Sequence, residues 1–61
     1  MEKQELEEFC AELNKLTNWA DKQRYGKLYF DKMIRKYGNQ NKRNGIFDAF
    51  IDVLNKNGIQ V

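Results

Sequence analysis

The chain contains no histidine, no proline and only one cysteine, Cys10. Without histidine, a general base near neutral pH would have to be a carboxylate or a lysine whose pKa is strongly displaced by burial. A chain of 61 residues has little interior in which to displace one. Catalysis is therefore not expected. The same lack removes the commonest nitrogen ligand of zinc and di-iron sites, so neither a metal nor a cofactor is expected. A lone cysteine cannot close an internal disulfide. Cys10 falls on an apolar face, where a thiol serves as a small hydrophobe, and the spacing places no basic residue beside it to activate it.

Long apolar runs are also missing. Stretches such as Leu28-Tyr29-Phe30 and Val53-Leu54 fall far short of the ~18 residues of a membrane span, so no membrane association is expected. The start, Met1-Glu2-Lys3-Gln4-Glu5, is acidic and lacks the apolar core of a secretion signal. With the single thiol, it points to a reducing cytoplasm. Gly38, Gly45 and Gly58 do not form the series of a phosphate-binding or dinucleotide-binding loop, and no strand pattern precedes them.

What remains is a folding composition, with 41% apolar residues and eight aromatics, namely one Trp, three Tyr and four Phe. Three amphipathic segments stand out. At 100° per residue, Leu6, Phe9, Cys10, Leu13 and Leu16 share one face, predicting a helix over residues 3–16 whose acidic first turn suits the helix dipole. Asn18, with Asp21 three residues on, resembles a capping arrangement for a second helix over 19–37. On that helix Trp19, Gly26, Phe30, Met33, Ile34 and Tyr37 share a face, and Arg35-Lys36 precede a left-handed stop at Gly38. Gly26 inside it suggests the close approach of another backbone.

Residues 38–45 hold no apolar side chain and are expected to form a loop. Asn44-Gly45 offers a hairpin turn, but no alternating strand flanks it. Ile46, Phe47, Phe50, Val53 and Leu54 predict a third helix over 45–56, closed by a left-handed turn at Asn57-Gly58 with Ile59 set against Leu54. The expected fold is a single all-α domain, a small three-helix bundle spanning 1–61. Its core is expected to gather Leu6, Phe9, Leu13, Leu16, Trp19, Phe30, Ile34, Phe50, Val53 and Leu54. Such a core supplies only about 3–5 kcal/mol, so self-association, giving a homo-oligomer, is the staple left open.

Charge is segregated. Residues 1–16 carry five acids and two bases, residues 17–45 eight bases and two acids, and residues 46–61 two acids and one base. Glu5, Glu8 and Glu12 flank the first helix, but nothing supplies the further oxygen ligands of a calcium or magnesium site. On the second helix Arg24, Tyr25, Leu28, Tyr29, Lys32, Arg35 and Lys36 project away from the Trp19/Phe30/Ile34 face, and Lys42 and Arg43 follow. Two readings of this face compete. In one, the central helix touches its neighbours on two sides, so that Leu28 and Tyr29 are core and the bases pair with the acidic first helix. In the other, Tyr25, Leu28 and Tyr29 form an apolar patch rimmed by bases, the composition of a binding hot spot.

The expected function on the second reading is that of a small regulator, inhibitor or accessory protein that binds a protein partner. The alternative is a nucleic-acid-binding protein that uses the same bases, with the tyrosines stacking on unpaired nucleobases. A connection of about eight residues is too long for a helix-turn-helix, and the acidic first helix opposes a chain wrapped in phosphate. Seven asparagines and many lysines point to an AT-rich genome, bacterial or phage.

Overall fold

The computed structural model describes residues 1–61 and contains three α-helices: α1, Lys3–Lys15; α2, Trp19–Tyr37; and α3, Gly45–Lys56. There are no strands. The expected bundle is present, and α2 and α3 carry the expected bounds. α1 ends one residue earlier, because the extended Leu16 already occupies its C-cap. No helix is long and apolar enough to cross a membrane.

The caps follow from local chemistry. Asn18 Oδ1 accepts from the Ala20 N–H at 2.7 Å and opens α2. Asn44, the first half of the rejected hairpin signal, opens α3 by accepting from the Ile46 and Phe47 N–H groups at 2.9 and 3.2 Å. Its Nδ2 donates to the Met1 carbonyl at 2.9 Å, tying the start of the chain to this cap. Gly38 ends α2 at a φ of 56°, as its position predicts.

The expected loop after α2 is a 3-10 turn, Gly38–Arg43. It is ordered by Asn41, which is buried and donates from Nδ2 to the Met33 carbonyl at 3.2 Å. A polar side chain supplies here the anchoring that an apolar one usually gives, by satisfying a carbonyl at the end of α2.

At the other end, Gly58 has φ 69° and the Ile59 N–H donates to the Leu54 carbonyl at 2.9 Å. This is the six-residue closure of a Schellman turn. Ile59 continues into the core and seats on Gly26. A Cβ at Gly26 would lie 2.8 Å from Ile59 Cγ2, 2.9 Å from Ile59 Cδ1 and 3.1 Å from Leu54 Cδ2. A side chain thus makes the close approach, not the backbone expected. The Gln23 amide then brackets Gln60, accepting from its N–H at 2.7 Å and donating to its carbonyl, so the extended tail lies along α2.

Phe9, Leu13, Met33, Phe50 and Leu54 are fully buried, joined by Met1 and Ile59. Phe9 is the hub: its ring lies 5.3, 4.9 and 4.9 Å from those of Tyr25, Tyr29 and Phe50, distances at which aromatic pairs add to their burial. Leu6, Leu16, Phe30 and Val53 pack at the margin. Two expected core residues lie outside it: Trp19 is 56% exposed and Ile34 42%. Trp19 opens α2 as its first residue, and a rotation of the helix carries Ile34 outward. Its buried centre falls on Gly26 and Met33, roughly 50° from the centre of the Trp19/Phe30/Ile34 face on a 100° helical wheel.

Candidate partner-binding face

The rotation of α2 redistributes the residues expected at a binding face. Tyr25 and Tyr29 turn toward α1 and become part of the core margin. Tyr25 stacks on Phe9 with 10° between the planes. Tyr29 packs on Phe9 and Phe50, and its hydroxyl donates to the Glu5 carbonyl at 3.0 Å. Leu28 goes the other way. It is 62% exposed, on the side of α2 opposite Met33. The apolar patch of Tyr25, Leu28 and Tyr29 is therefore not brought together. Tyr29 lies inside, as the first reading expects, and Leu28 lies outside.

The bases divide as well. Lys36 donates from Nζ to Glu5 Oε2 at 2.8 Å, joining α2 to the acidic first helix. Glu5 is the centre of this clasp: its Oε1 also accepts from the Tyr37 hydroxyl at 2.6 Å and from the Glu2 N–H at 2.8 Å. Loss of hydration, the largest influence, acts to raise its pKa. The hydrogen bonds from Lys36, Tyr37 and Glu2 outweigh it and hold the carboxyl at about 2, against an ordinary 4.5. Burial first, and then the field of Glu5, push the Tyr29 hydroxyl up to about 12. Glu5 thus serves the fold. Nowhere do three acidic or thiol groups converge as a metal site requires.

Arg24, Lys32 and Arg35 are exposed and belong to no ion pair. Lys32 lies over the Tyr29 ring, 5.4 Å from its centroid. With Leu28, these three bases fall at steps of four, four and three residues, the spacing of a single stripe along a helix. Asp31 lies beside the stripe and reaches toward Lys27 at 4.0 Å, while Asp21 continues the stripe one turn before Arg24. Lys42 and Arg43 are exposed in the 3-10 turn, where with Asn39 and Gln40 they line an open depression of about 310 Å³ without an apolar wall. A hollow so open lacks the enclosing walls of a small-molecule site.

Sequence reasoning did not single out the exposure of Trp19, Ile34 and Val61. Trp19 stands beside the closing turn of α3, where its Nε1 lies 3.6 Å from the position of a Cβ on Gly58. The signal was present in the charge pattern, since Lys27 and Asp31 fall next to Ile34 on the helical wheel, as on a solvated flank. No family model, curated protein or solved structure matches this chain. The reading of its surface therefore rests on the chemistry just described.

Proposed function

We propose that the protein is a small non-catalytic regulatory or accessory module that docks a protein partner on the outer stripe of α2. The supporting observation is Leu28, a largely exposed leucine at the middle of a line of three unpaired bases, Arg24, Lys32 and Arg35. An apolar anchor within a charged rim suits a partner surface that is acidic around an apolar hollow. With Tyr25 and Tyr29 held in the core margin, Leu28 takes the role of anchor. Action as a regulator or inhibitor inside a reducing cytoplasm belongs to the same proposal, consistent with a free, half-buried Cys10.

Nucleic acid is the competing partner, favoured by the unpaired Lys42 and Arg43 beyond the stripe. Two features weigh against it. The tyrosines that would stack on unpaired bases are engaged with Phe9, and the exposed Glu7, Glu8 and Glu12 of α1 repel phosphate.

The test compares the parent chain with Leu28→Asp and with Lys32→Glu/Arg35→Glu in affinity capture from a cell lysate, and titrates all three with random duplex DNA and single-stranded RNA. Protein docking predicts that Leu28→Asp abolishes capture, whereas the charge changes mainly slow association. A salt dependence of about 0.7–0.9 log units per phosphate contact, lost in the charge variant and unaffected at Leu28, would transfer the face to nucleic acid.

A further inference from the structure

We propose that the acidic partner of the α2 stripe is a second copy of this chain, in a dimer whose two-fold axis runs along the seam between α1 and α2. This rests on the reading of the stripe as a protein-docking surface, and it names the partner.

The short Leu16–Asn18 connection makes α1 and α2 antiparallel neighbours. Their levels are fixed by the bond from the Tyr29 hydroxyl to the Glu5 carbonyl, the Lys36–Glu5 pair and the stacking of Phe9 on Tyr25. Going down the seam, Glu5 therefore lies level with residues 29–36, Phe9 with 25–29, and Glu12 near Tyr25. The two sides of the seam carry opposite charge. On the α1 side, Glu8 and Glu12 are exposed and close enough to Tyr25 for their fields to act on its hydroxyl, after the effect of burial. On the α2 side stand Arg24, Lys32 and Arg35, with Leu28 between them.

A two-fold axis parallel to both helices exchanges the two sides of the seam and leaves each level unchanged. α1 of one copy then lies over α2 of the other, with Glu12 above Arg24, Glu8 above Lys32 and Leu28 between the two charge contacts. The second pair of contacts repeats the first by symmetry. An in-plane axis across the helices would instead place α1 on α1 and acid on acid. The existing bonds of the two acids are weak competitors. Glu12 meets Lys15 at 3.1 Å in a pair exposed on both sides, and Glu8 accepts from Gln4 at 3.4 Å. The face is polar apart from Leu28 and the edge of Tyr25, so the association is weak and sensitive to salt.

The test is sedimentation equilibrium of the full chain at low and high salt, alone and with two charge-reversed variants. One is Glu8→Lys/Glu12→Lys, the other Arg24→Glu/Lys32→Glu. All four positions are exposed, and circular dichroism verifies that each variant remains helical. The parent is expected to dimerise at low salt, with the association constant falling at least about tenfold by ~0.5 M salt. Each variant alone is expected to be monomeric, because like charges then face one another. An equimolar mixture of the two is expected to form a heterodimer, in which one contact keeps its native signs and the other is restored with its signs exchanged. A parent monomeric at low salt would overturn the dimer, and Leu28-dependent capture of another protein in that case would leave the docking reading standing. A parent dimer with no heterodimer from the mixture would also overturn the proposal, since the contact would then lie on another face.

Discussion

Replacing Gly26 by alanine sets helix propensity against packing, and the structure decides which prevails. At an exposed helical position the substitution stabilises by about 1 kcal/mol. Here the new methyl would stand 2.8 Å from Ile59 Cγ2 and 2.9 Å from Ile59 Cδ1, well inside van der Waals contact. Rotation about χ2 relieves the Cδ1 contact only. Cγ2 moves only with the stiff χ1, which also swings Cγ1 and Cδ1 out of the core, so the lower-cost relief is a shift of the tail at residue 59 that weakens the Gln23 bracket on Gln60. Overpacking of this kind costs about 1–3 kcal/mol, and expulsion of Ile59 is bounded by the ~1.5–3 kcal/mol of its burial. The net expectation is a destabilisation of about 1 kcal/mol, lowering the melting temperature by roughly 4–8 °C in a domain of this size. In an Ile59→Ala background only the Leu54 Cδ2 contact at 3.1 Å remains, which the end of a flexible leucine relieves, and the same substitution should stabilise by about 1 kcal/mol. A four-protein cycle by urea denaturation should therefore show a coupling near 2 kcal/mol. An excluded osmolyte at one fixed concentration keeps the weaker members folded. Equal stabilisation by Gly26→Ala in both backgrounds would refute the seat of Ile59 on Gly26.

Three further perturbations test the core, the clasp and the cap. Phe50→Ala removes a fully buried ring and should cost about 3–5 kcal/mol, abolishing a cooperative thermal transition, whereas Trp19→Ala on the exposed side should change stability by less than about 1 kcal/mol. A large loss at Trp19 would restore the helix facing that the sequence pattern suggests. Because the Glu5 carboxyl sits at about 2 when folded and near 4.5 otherwise, its contribution is complete above pH 4.5 and is lost as the pH falls toward 2. The full shift corresponds to ~3 kcal/mol, and solvent at the half-exposed Lys36 reduces this to about 1–2 kcal/mol. Glu5→Gln should lose that amount at pH 7 and flatten the acid limb of a stability profile; an unchanged limb would refute the clasp. Asn44→Ala unties two N–H groups of α3 and the Met1 carbonyl and should cost about 1–2 kcal/mol by urea denaturation.

The three helices were legible because each carries its own periodicity and its own punctuation. Asn18, Gly38 and Gly58 act through local backbone chemistry, which needs no knowledge of the rest of the molecule. Asn44 was equally local, but it was read as part of the loop over 38–45, and Asn41 gave no sign at all. A buried asparagine reveals itself only when the carbonyl it serves, that of Met33, is seen beside it. The same distinction governs the binding face. Leu28 and the bases around it were visible as a departure from amphipathicity, yet Tyr25 and Tyr29 were grouped with them because they project away from the Trp19/Phe30/Ile34 face. Counting both rings as apolar would have moved the inner face of α2 toward Met33.

Composition and periodicity by themselves determined the helical class, the placement of α2 and α3 and most of the helix ends, since these depend on neighbours in sequence. Only the tertiary structure decided how far α2 turns about its axis, because that depends on which rings Phe9 of α1 and Phe50 of α3 accept. That rotation drew the tyrosines into the core margin, exposed Ile34, and left Leu28 facing water among unpaired bases.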